Sequence, residues 1–226
     1  MASDRAVVLS AVRKIFLLSP AHSGGKRAQL ILNPRAQFPL ARRLHRAEAV
    51  ALGEIFTFLS GLYFRGKLAY ARAFAVPPEG LHGAYVITSN RGLVPADTTI
   101  SLTGLKSFSR VNINADDARY RRPLLRDAKR LAEAHPNLRV VLLGSISTGK
   151  YVDVLLQAFG ERLYFPLEFV GRGDMSRGGL MLRCVHALSE LEYAPVAGAV
   201  RRGTRPPKLQ PMRWKSSPQA LQTKSN

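Results

Sequence analysis

Residues 139–151 read RVVLLGSISTGKY, and this stretch decides the fold that the sequence predicts. Its first five residues are mostly apolar and predict a short buried strand. Residues 144–149 are rich in glycine, serine and threonine and predict a loop, and the apolar spacing over 151–159 predicts a helix. A strand that enters a helix through such a loop directs backbone N–H groups and a helix N-terminus toward one point, where an anion binds.

The loop matches most of a phosphate-binding pattern. Gly144, Gly149 and Lys150 follow the spacing G-x-x-x-x-G-K, but Tyr151 stands where Ser or Thr holds magnesium. The pattern therefore favours a phosphate or nucleotide-like ligand over a standard nucleoside triphosphatase. The alternative is a glycine turn that only packs a strand against a helix. The candidate phosphate-binding residues of this loop are Gly144, Ser145, Thr148, Gly149 and Lys150.

The charge of the chain indicates partners that carry phosphate groups. The 226 residues include 34 Lys and Arg against 15 Asp and Glu, which gives a net charge of +19. Such an excess favours nucleic acid, nucleotides or an anionic surface. Part of the charge lies in residues 201–226, where no acidic residue occurs, so a basic tail on an otherwise ordinary protein is the alternative.

Several classes of protein fit the sequence poorly. Cys184 is the single cysteine, so an intramolecular disulfide is excluded, and no Cys and His cluster has metal-ligand spacing. The apolar run near the N-terminus is too short for a signal peptide, and no run approaches the roughly 20 apolar residues of a membrane span. We therefore expect a cytoplasmic protein without a membrane partner, and the sequence indicates no metal or other cofactor.

Strand-like and helix-like segments alternate along the chain. The predicted strands are 14–18, 84–88, 139–143 and 162–165, and the predicted helical stretches are 38–51, 54–74, 115–135 and 151–159. Residues 180–196 fit a helix or a hairpin, and Tyr193, Val196 and the flanking Gly and Pro favour the hairpin.

This order predicts an α/β protein: a three-layer Rossmann-like fold with a mainly parallel sheet, a C-terminal hairpin and a disordered basic tail. The predicted organisation is a flexible N-terminus over 1–13, a single domain over 14–198 and a disordered tail over 199–226.

Each of the four predicted strands ends in a polar or glycine-rich loop, after Leu18, Thr88, Leu143 and Phe165. If the strands are parallel, these loops lie at the same edge of the sheet. Ligands of open α/β sheets bind outside the carboxyl ends of the strands. The sequence therefore predicts a site at this edge.

The loop over residues 88–97 carries more polar side chains than a plain turn needs. Arg91 offers a rigid fork of donors for phosphate or carboxylate. Asp97 is a candidate catalytic carboxylate or an acceptor for a base or ribose, and the alternative is that it caps a turn. Asn90 and Gly92 are further candidates for the pocket.

A second loop, residues 169–180, places four glycines and two arginines around one carboxylate. Asp174 is a candidate general base or sugar contact, and Arg172 is a candidate phosphate ligand, since glycines allow a ligand close approach to the backbone. The alternative pairs Asp174 with Arg172 or Arg177 at the surface.

Two further features are ambiguous. Tyr63 belongs to a stretch of aromatic and basic residues that suits either a nucleic-acid face or a half-buried helix with snorkelling cations. The histidines are scattered, and His22 is the one at the predicted edge, where it is a candidate for catalysis.

Three stretches together resemble a known family. They are the Pro-Ala-x-x-Gly-Gly-Lys loop over 20–26, the sequence LYFRGKLAYA over 62–71, and YVITSNRGLVPAD over 85–97. Their order is similar to that of uncharacterised bacterial domains related to the peroxide-stress protein family, over roughly residues 14–183. The resemblance implies an α/β fold with a polar pocket and a role linked to nucleic acid. By position, the residues of this chain that match the family's motifs are Lys26, Tyr63, Arg91, Gly92, Asp97, Gly144 and Tyr151.

Three functions follow as hypotheses. The first is a nucleic-acid-associated protein with a phosphate and nucleobase pocket, in which Lys26, Arg91 and Lys150 neutralise phosphates. The second is a nucleoside or nucleobase N-glycosidase, in which Asp97 or Asp174 stabilises a cationic sugar or activates water. The third is a scaffold that recruits partners through the basic tail.

Overall fold

A computed structural model describes residues 12–210, and within them a six-stranded mixed sheet forms the centre of the protein. The strands are β1 (Lys14–Leu18), β2 (Ala84–Ile87), β3 (Leu93–Pro95), β4 (Arg139–Leu143), β5 (Leu163–Pro166) and β6 (Tyr193–Pro195). Their spatial order is β3-β2-β1-β4-β5-β6. Strands β2, β1, β4 and β5 are parallel, and the edge strands β3 and β6 are antiparallel to their neighbours. The predicted α/β class and the mainly parallel sheet are confirmed.

The helices within residues 12–210 are α1 (Lys26–Leu32), α2 (Pro39–His45), α3 (Leu52–Ser60), α4 (Leu62–Phe74), α5 (Leu102–Phe108), α6 (Ala118–Ala134), α7 (Gly149–Phe159) and α8 (Asp174–Ala187). Over the same residues, no helix combines the length and the apolar character that crossing a membrane requires.

Strand β1 lies at the centre of the sheet because its residues are apolar on both faces. Phe16 and Leu18 are buried in one hydrophobic cluster, and Ile15 and Leu17 are buried in a second cluster on the opposite face. Strand β4 alternates in the same way. A strand that is buried on both faces reads as a continuous apolar run, which is why the sequence identifies it.

Local backbone chemistry divides the long stretch over 54–74 into two helices. Gly61 has φ of +62°, a conformation that glycine adopts readily, and it separates α3 from α4. The side chain of Arg27 donates to the Phe58 carbonyl at 3.1 Å, at the end of α3. Helix α2 ends at His45, so the prediction of a helix to residue 51 is too long.

The hairpin predicted over 180–196 is wrong in its first half, where α8 continues to Ala187. The reason is a close approach of α8 to α4. A Cβ at Gly66 would lie 2.7 Å from the carbonyl oxygen of Gly178, and a Cβ at Gly178 would lie 2.8 Å from the carbonyl oxygen of Leu62. The two helix backbones therefore touch, and a partner 112 residues away in sequence favours the helix.

The chain leaves β1 toward one face of the sheet and β4 toward the other. Helices α1, α3 and α4, which follow β1, pack in the same cluster as Phe16, while α7, which follows β4, packs in the cluster of Ile15. Neighbouring parallel strands whose connections diverge leave a crevice at their carboxyl ends. We call this carboxyl edge of the sheet the rim.

Residues 199–210 have neither helix nor strand, and they contact α8 and the loop before it. A Cβ at Gly171, which has φ of +71°, would meet the carbonyl oxygen of Thr204, and Arg183 donates to the carbonyl of Gln210. The rest of the predicted tail and most of the predicted flexible N-terminus, residues 211–226 and 1–11, lie outside the described residues.

The glycine contact between α4 and α8 predicts a specific stability difference. Gly178→Ala should lower the free energy of unfolding by about 1–3 kcal/mol, because two backbones must separate. The neighbouring Gly179→Ala is the matched control, since its Cβ would meet only the Leu209 side chain at 3.6 Å. The control should be neutral or raise stability by up to about 1 kcal/mol. Denaturant unfolding of both variants measures this, and equal effects would contradict it.

Candidate functional site

The crevice at the rim contains a polar cavity of about 300 Å³. It lies between the loops that follow β1 and β4 and the first turns of α4, α7 and α8. We call it the polar lobe. Its lining residues are Ser19, Pro20, Ala21, His22, Leu59, Ser60, Tyr63, Ser145, Lys150, Tyr151 and Asp174.

A second cavity of about 230 Å³ adjoins the first and shares five of its lining residues, among them His22, Lys150 and Tyr151. It extends toward the loop after β2 and the end of α5, where Phe108, Val111 and Ile113 supply apolar surface. We call it the apolar lobe. Together the two lobes have the size and the mixed lining typical of a small-molecule site.

A further hollow of about 350 Å³ lies between α6 and the strands β2 and β3. Its lining includes Leu81, Tyr85 and Leu131, and it is removed from the carboxyl ends of β1 and β4. This hollow also carries the charged side chains Asp127 and Arg130. We take the rim crevice as the candidate site because the carboxyl ends of β1 and β4 and the first turns of α7 and α8 converge there.

The loops after β1 and β4 touch each other at the base of the polar lobe. The Ser19 N–H donates to the Leu143 carbonyl at 3.2 Å, which extends the parallel pairing past the strand ends. A Cβ at Gly144 would lie 3.0 Å from the Cβ of Ser19, so glycine lets the two loops approach. Gly144 therefore shapes the lobe.

The loop after β4 leads into α7 at the mouth of the two lobes. Ser145 and Ser147 share a hydrogen bond between their hydroxyls at 2.8 Å, and no side chain caps the N-terminus of α7. The Tyr120 hydroxyl of α6 donates to the Lys150 carbonyl at 2.9 Å and holds this turn against α6. The positive end of the α7 dipole therefore lies beside the cavity.

A lysine lies buried behind the polar lobe. Lys67 of α4 is 1 % exposed, and its Nζ donates to the Ser19 carbonyl oxygen at 2.5 Å and to Ser19 Oγ at 2.8 Å. Its Nζ also lies 4.1 Å from the centre of the Tyr63 ring. Burial lowers the pKa of Lys67 to about 7, the charge of Asp174 opposes this shift, and the cations Arg177 and Lys150 add to it.

Helix α8 contributes a buried arginine and an exposed carboxylate. Arg177 donates from Nε and Nη2 to the Phe169 carbonyl at 3.1 and 2.8 Å, and its Nη1 lies 3.6 Å from Asp174 Oδ1. The Asp174 side chain is 67 % exposed, so solvent screens this ion pair and it contributes little to stability. The carboxylate is therefore free to face the lobe.

One hydroxyl of the cavity wall has no hydrogen-bond partner. The Tyr63 side chain is 7 % exposed, and its buried Oη makes no well-formed hydrogen bond, although donors of Arg177 and Ser19 lie close enough to lower its pKa in part. Burial raises the pKa of Tyr63, so the hydroxyl keeps its proton. An unpaired buried hydroxyl costs free energy, and a ligand acceptor in the lobe would satisfy it.

Six of the residues predicted from the sequence converge on the polar lobe: His22, Tyr63, Ser145, Lys150, Tyr151 and Asp174. His22 lines both lobes, and its ring covers Gly24 and Gly25. Burial raises the pKa of the Tyr151 phenol, which therefore stays protonated.

Asp97 lies elsewhere. It follows the antiparallel strand β3, so it comes at the edge opposite the rim, where the Ala96 N–H pairs with the Ala84 carbonyl at the start of β2. There its carboxylate pairs with Arg72 of α4, with Oδ1 2.5 Å from Nη2. The structure does not bring Asp97 together with Asp174.

The other candidates of the 88–97 loop take structural positions near the apolar lobe. Arg91 is exposed, and its guanidinium lies 5.5 Å from the centre of the Phe108 ring. Asn90 donates to the Ser107 carbonyl at 3.0 Å. Gly92 has φ of +69° and leaves no space for a Cβ, because Asp127 of α6 packs against it.

The remaining candidates lie around the crevice without lining the polar lobe. Lys26 is exposed at the start of α1, and Thr148 precedes α7. A Cβ at Gly149 would meet the carboxylate of Asp153, an exposed side chain that can move away. Arg172 donates to Ser176 at 3.3 Å and faces a groove beside residues 205–209.

Two residues of the site, Ser19 and Lys67, are absent from the sequence predictions. Ser19 directly follows the first predicted strand, so its place at a strand end is a usable signal. Lys67 gives no local signal, since only the packing of α4 against β1 buries its amine.

A comparison with protein-family models, with curated proteins and with solved structures found no match. The family resemblance of the sequence therefore stays a prediction.

The buried amine predicts a pH dependence of stability. Because the pKa of Lys67 falls from 10.5 to about 7 on folding, the unfolded state binds the extra proton between these values, and stability rises with pH in this window. The slope is at most about 1.4 kcal/mol per pH unit. Lys67→Met removes the amine. The melting temperature of the unmodified protein, relative to that of the variant, should therefore rise as the pH increases from 6.5 to 9. A constant difference would show that Lys67 keeps its proton.

Proposed function

We propose that the rim crevice binds an anionic, nucleotide-like ligand, and that the protein acts in association with nucleic acid in the cytoplasm. The observation that carries this proposal is the charge of the polar lobe. Lys150 lines it, Arg177 lies directly behind it, Lys67 adds positive charge below its pKa of about 7, and Asp174 is the carboxylate that lines it. Cations in partly desolvated surroundings with an unpaired hydroxyl form a site that a phosphate would satisfy.

The two lobes suggest where each part of such a ligand binds. The polar lobe suits the phosphate, because Lys150, Ser145 and the N-terminus of α7 offer donors. The apolar lobe suits a planar base, because Phe108 and Ile113 supply apolar surface while Asn112 and Ser89 supply polar edges. The Rossmann-like three-layer interpretation supports this assignment, since ligands of such folds bind where the strand connections diverge.

Exposed cations surround the crevice and support the association with nucleic acid. Helix α5 ends beside the apolar lobe, and helix α6 begins there. The hydrogen bond from the Tyr120 hydroxyl to the Lys150 carbonyl fixes the start of α6 at this place. The exposed basic residues of this region are Lys106, Arg110, Arg119, Arg121 and Arg122. Arg119 is paired with Asp117 at 2.7 Å, and the others offer charge to a phosphate backbone.

Calorimetric titration with adenosine monophosphate, adenosine and inorganic phosphate tests the proposed site. We expect the monophosphate to bind more tightly than adenosine, and Lys150→Ala to weaken its binding roughly 10- to 100-fold, as the loss of a charge-assisted hydrogen bond does. Lys26→Ala is the matched control, since it removes an equal charge from outside the cavity. Equal effects of the two variants, or equal affinity for nucleoside and nucleotide, would contradict the proposal.

A nucleoside N-glycosidase is the second candidate, and the position of Asp174 favours it. This carboxylate lines the polar lobe together with Tyr63. There it would face the sugar of a nucleotide that spans the two lobes. Asp97, at the opposite edge of the sheet, has no place in this reaction.

The two carboxylates make a matched test of the glycosidase. With a pool of nucleotides as substrate and detection of free base, Asp174→Asn should reduce turnover at least 100-fold, as loss of a general acid or base does. Asp97→Asn should leave it unchanged within a factor of about two, because it lies outside the site. Release of base that is equal in the two variants would exclude the assigned role.

A further inference from the structure

The contact between Ser19 and Lys67 joins two groups whose chemistry the binding of a nucleotide does not use. Ser19 lines the polar lobe, and its Oγ lies 2.8 Å from the buried Nζ of Lys67. This distance is within the range that separates a nucleophile from its base in enzymes. The amine reaches no other hydrogen-bond partner in residues 12–210 than the hydroxyl and the carbonyl of Ser19.

A purely structural role explains this arrangement poorly. A buried amine has lost its hydration, and its two hydrogen bonds to Ser19 together with the Tyr63 and Phe64 rings compensate only part of that loss. An apolar side chain of similar length would fill the same space at lower cost. The Ser19 hydroxyl donates to the Leu143 carbonyl at 3.3 Å while it accepts from Lys67. A rotation of this hydroxyl toward a neutral Lys67 amine would let the amine accept its proton.

We propose that Ser19 and Lys67 are the nucleophile and the base of an acyl-transfer site that hydrolyses a carboxylic ester whose other end carries an anionic group. The assignment of the anionic group rests on the proposed function, since Lys150 would hold it. The nucleophile and base rest on the geometry of Ser19 and Lys67 alone.

The reaction proceeds through an acyl-enzyme. Ser19 Oγ attacks the ester carbonyl carbon while Lys67 Nζ accepts the hydroxyl proton, and the carbonyl oxygen becomes an oxyanion. The bond from carbon to the leaving oxygen then breaks, and the Lys67 ammonium returns the proton to that oxygen, which leaves as an alcohol. Water then attacks the acyl carbon while Lys67 Nζ accepts a proton from it. The bond from the acyl carbon to Ser19 Oγ breaks, Lys67 returns the proton to Oγ, and the product leaves as a carboxylic acid.

The cavity also offers donors for the oxyanion. The Tyr63 hydroxyl is buried and protonated, it makes no well-formed hydrogen bond, and it lies near Ser19. The uncapped N-terminus of α7 lies on the same cavity through Lys150 and Tyr151. Donors that are fixed before the reaction stabilise the charge that develops in the transition state.

The charged and titratable groups around Lys67 set the pH at which the amine becomes a base. Tyr63 lies on its own helix, Asp174 and Arg177 face it from α8, and Lys150 faces it from α7. With the pKa of Lys67 at about 7, reaction at Ser19 should rise through pH 7 and level off above pH 8.

Labelling of the whole protein with a fluorophosphonate probe, followed by peptide mass mapping, tests the pair. We expect one label, on Ser19, at a rate that increases with pH with a midpoint near 7. Ser19→Ala should abolish it, while Ser189→Ala, an exposed serine beyond α8, should label at the unmodified rate. A label on Ser60 or Ser145, no label on Ser19, or a rate independent of pH would overturn the proposal.

Two Lys67 variants separate a base from an anchor. Arginine keeps the charge and the donors but does not give up its proton at these pH values. Lys67→Arg and Lys67→Met should each slow labelling at least 100-fold, as loss of a general base does. A folded Lys67→Arg protein that labels at the unmodified rate would overturn the base role. Where a variant does not fold, the pH dependence of labelling in the unmodified protein decides whether Lys67 acts as the base.

Adenosine monophosphate distinguishes failure of this proposal from failure of the proposed function. If the nucleotide binds in calorimetry and slows labelling of Ser19, both stand. If it binds and Ser19 does not label, the acyl-transfer site is excluded and the binding site stands. If it does not bind and Ser19 labels with the expected pH profile, the nucleophile and base stand without the nucleotide ligand.

Discussion

The site depends on the burial of β1 on both faces of the sheet. Because Ile15 and Leu17 pack on one face and Phe16 and Leu18 on the other, Ser19 supplies the first polar side chain at the carboxyl end of this strand. The parallel pairing with β4 then brings Ser19 beside Gly144. The divergence of the two following connections leaves a crevice at that point, and the two lobes occupy it.

The second constraint is the contact of α4 with α8 through Gly66 and Gly178. The absence of side chains at these positions brings two helices together that carry the charged groups behind the cavity. Tyr63 and Lys67 lie on one helix and Arg177 on the other, each within about one turn of the contact. Packing and electrostatics are therefore linked, since separation of the helices would also separate the cations.

The charges in the crevice are held at different depths, and depth determines what each can do. Lys150 at the mouth is exposed and suits an incoming anion. Lys67 is fully enclosed, and burial moves its pKa to about 7, near the range in which an amine serves as a base. Asp174 is exposed, and solvent screens its charge. Its ion pair with Arg177 therefore orients the carboxylate but adds little to the stability of the fold.

The sequence by itself determined the α/β class and a mainly parallel sheet, and it indicated the rim as the place of a candidate site, because each predicted strand is an apolar run that ends in a polar loop. It also placed Lys150, Tyr151 and Asp174 near that edge, since each lies in or directly after a loop that follows a predicted strand. Only the tertiary structure decided that Asp97 is remote, because the antiparallel direction of β3 depends on pairing with β2. The same holds for Lys67, since a lysine in a helix is ordinarily solvated, and its buried contact with Ser19 exists only once α4 packs against the end of β1.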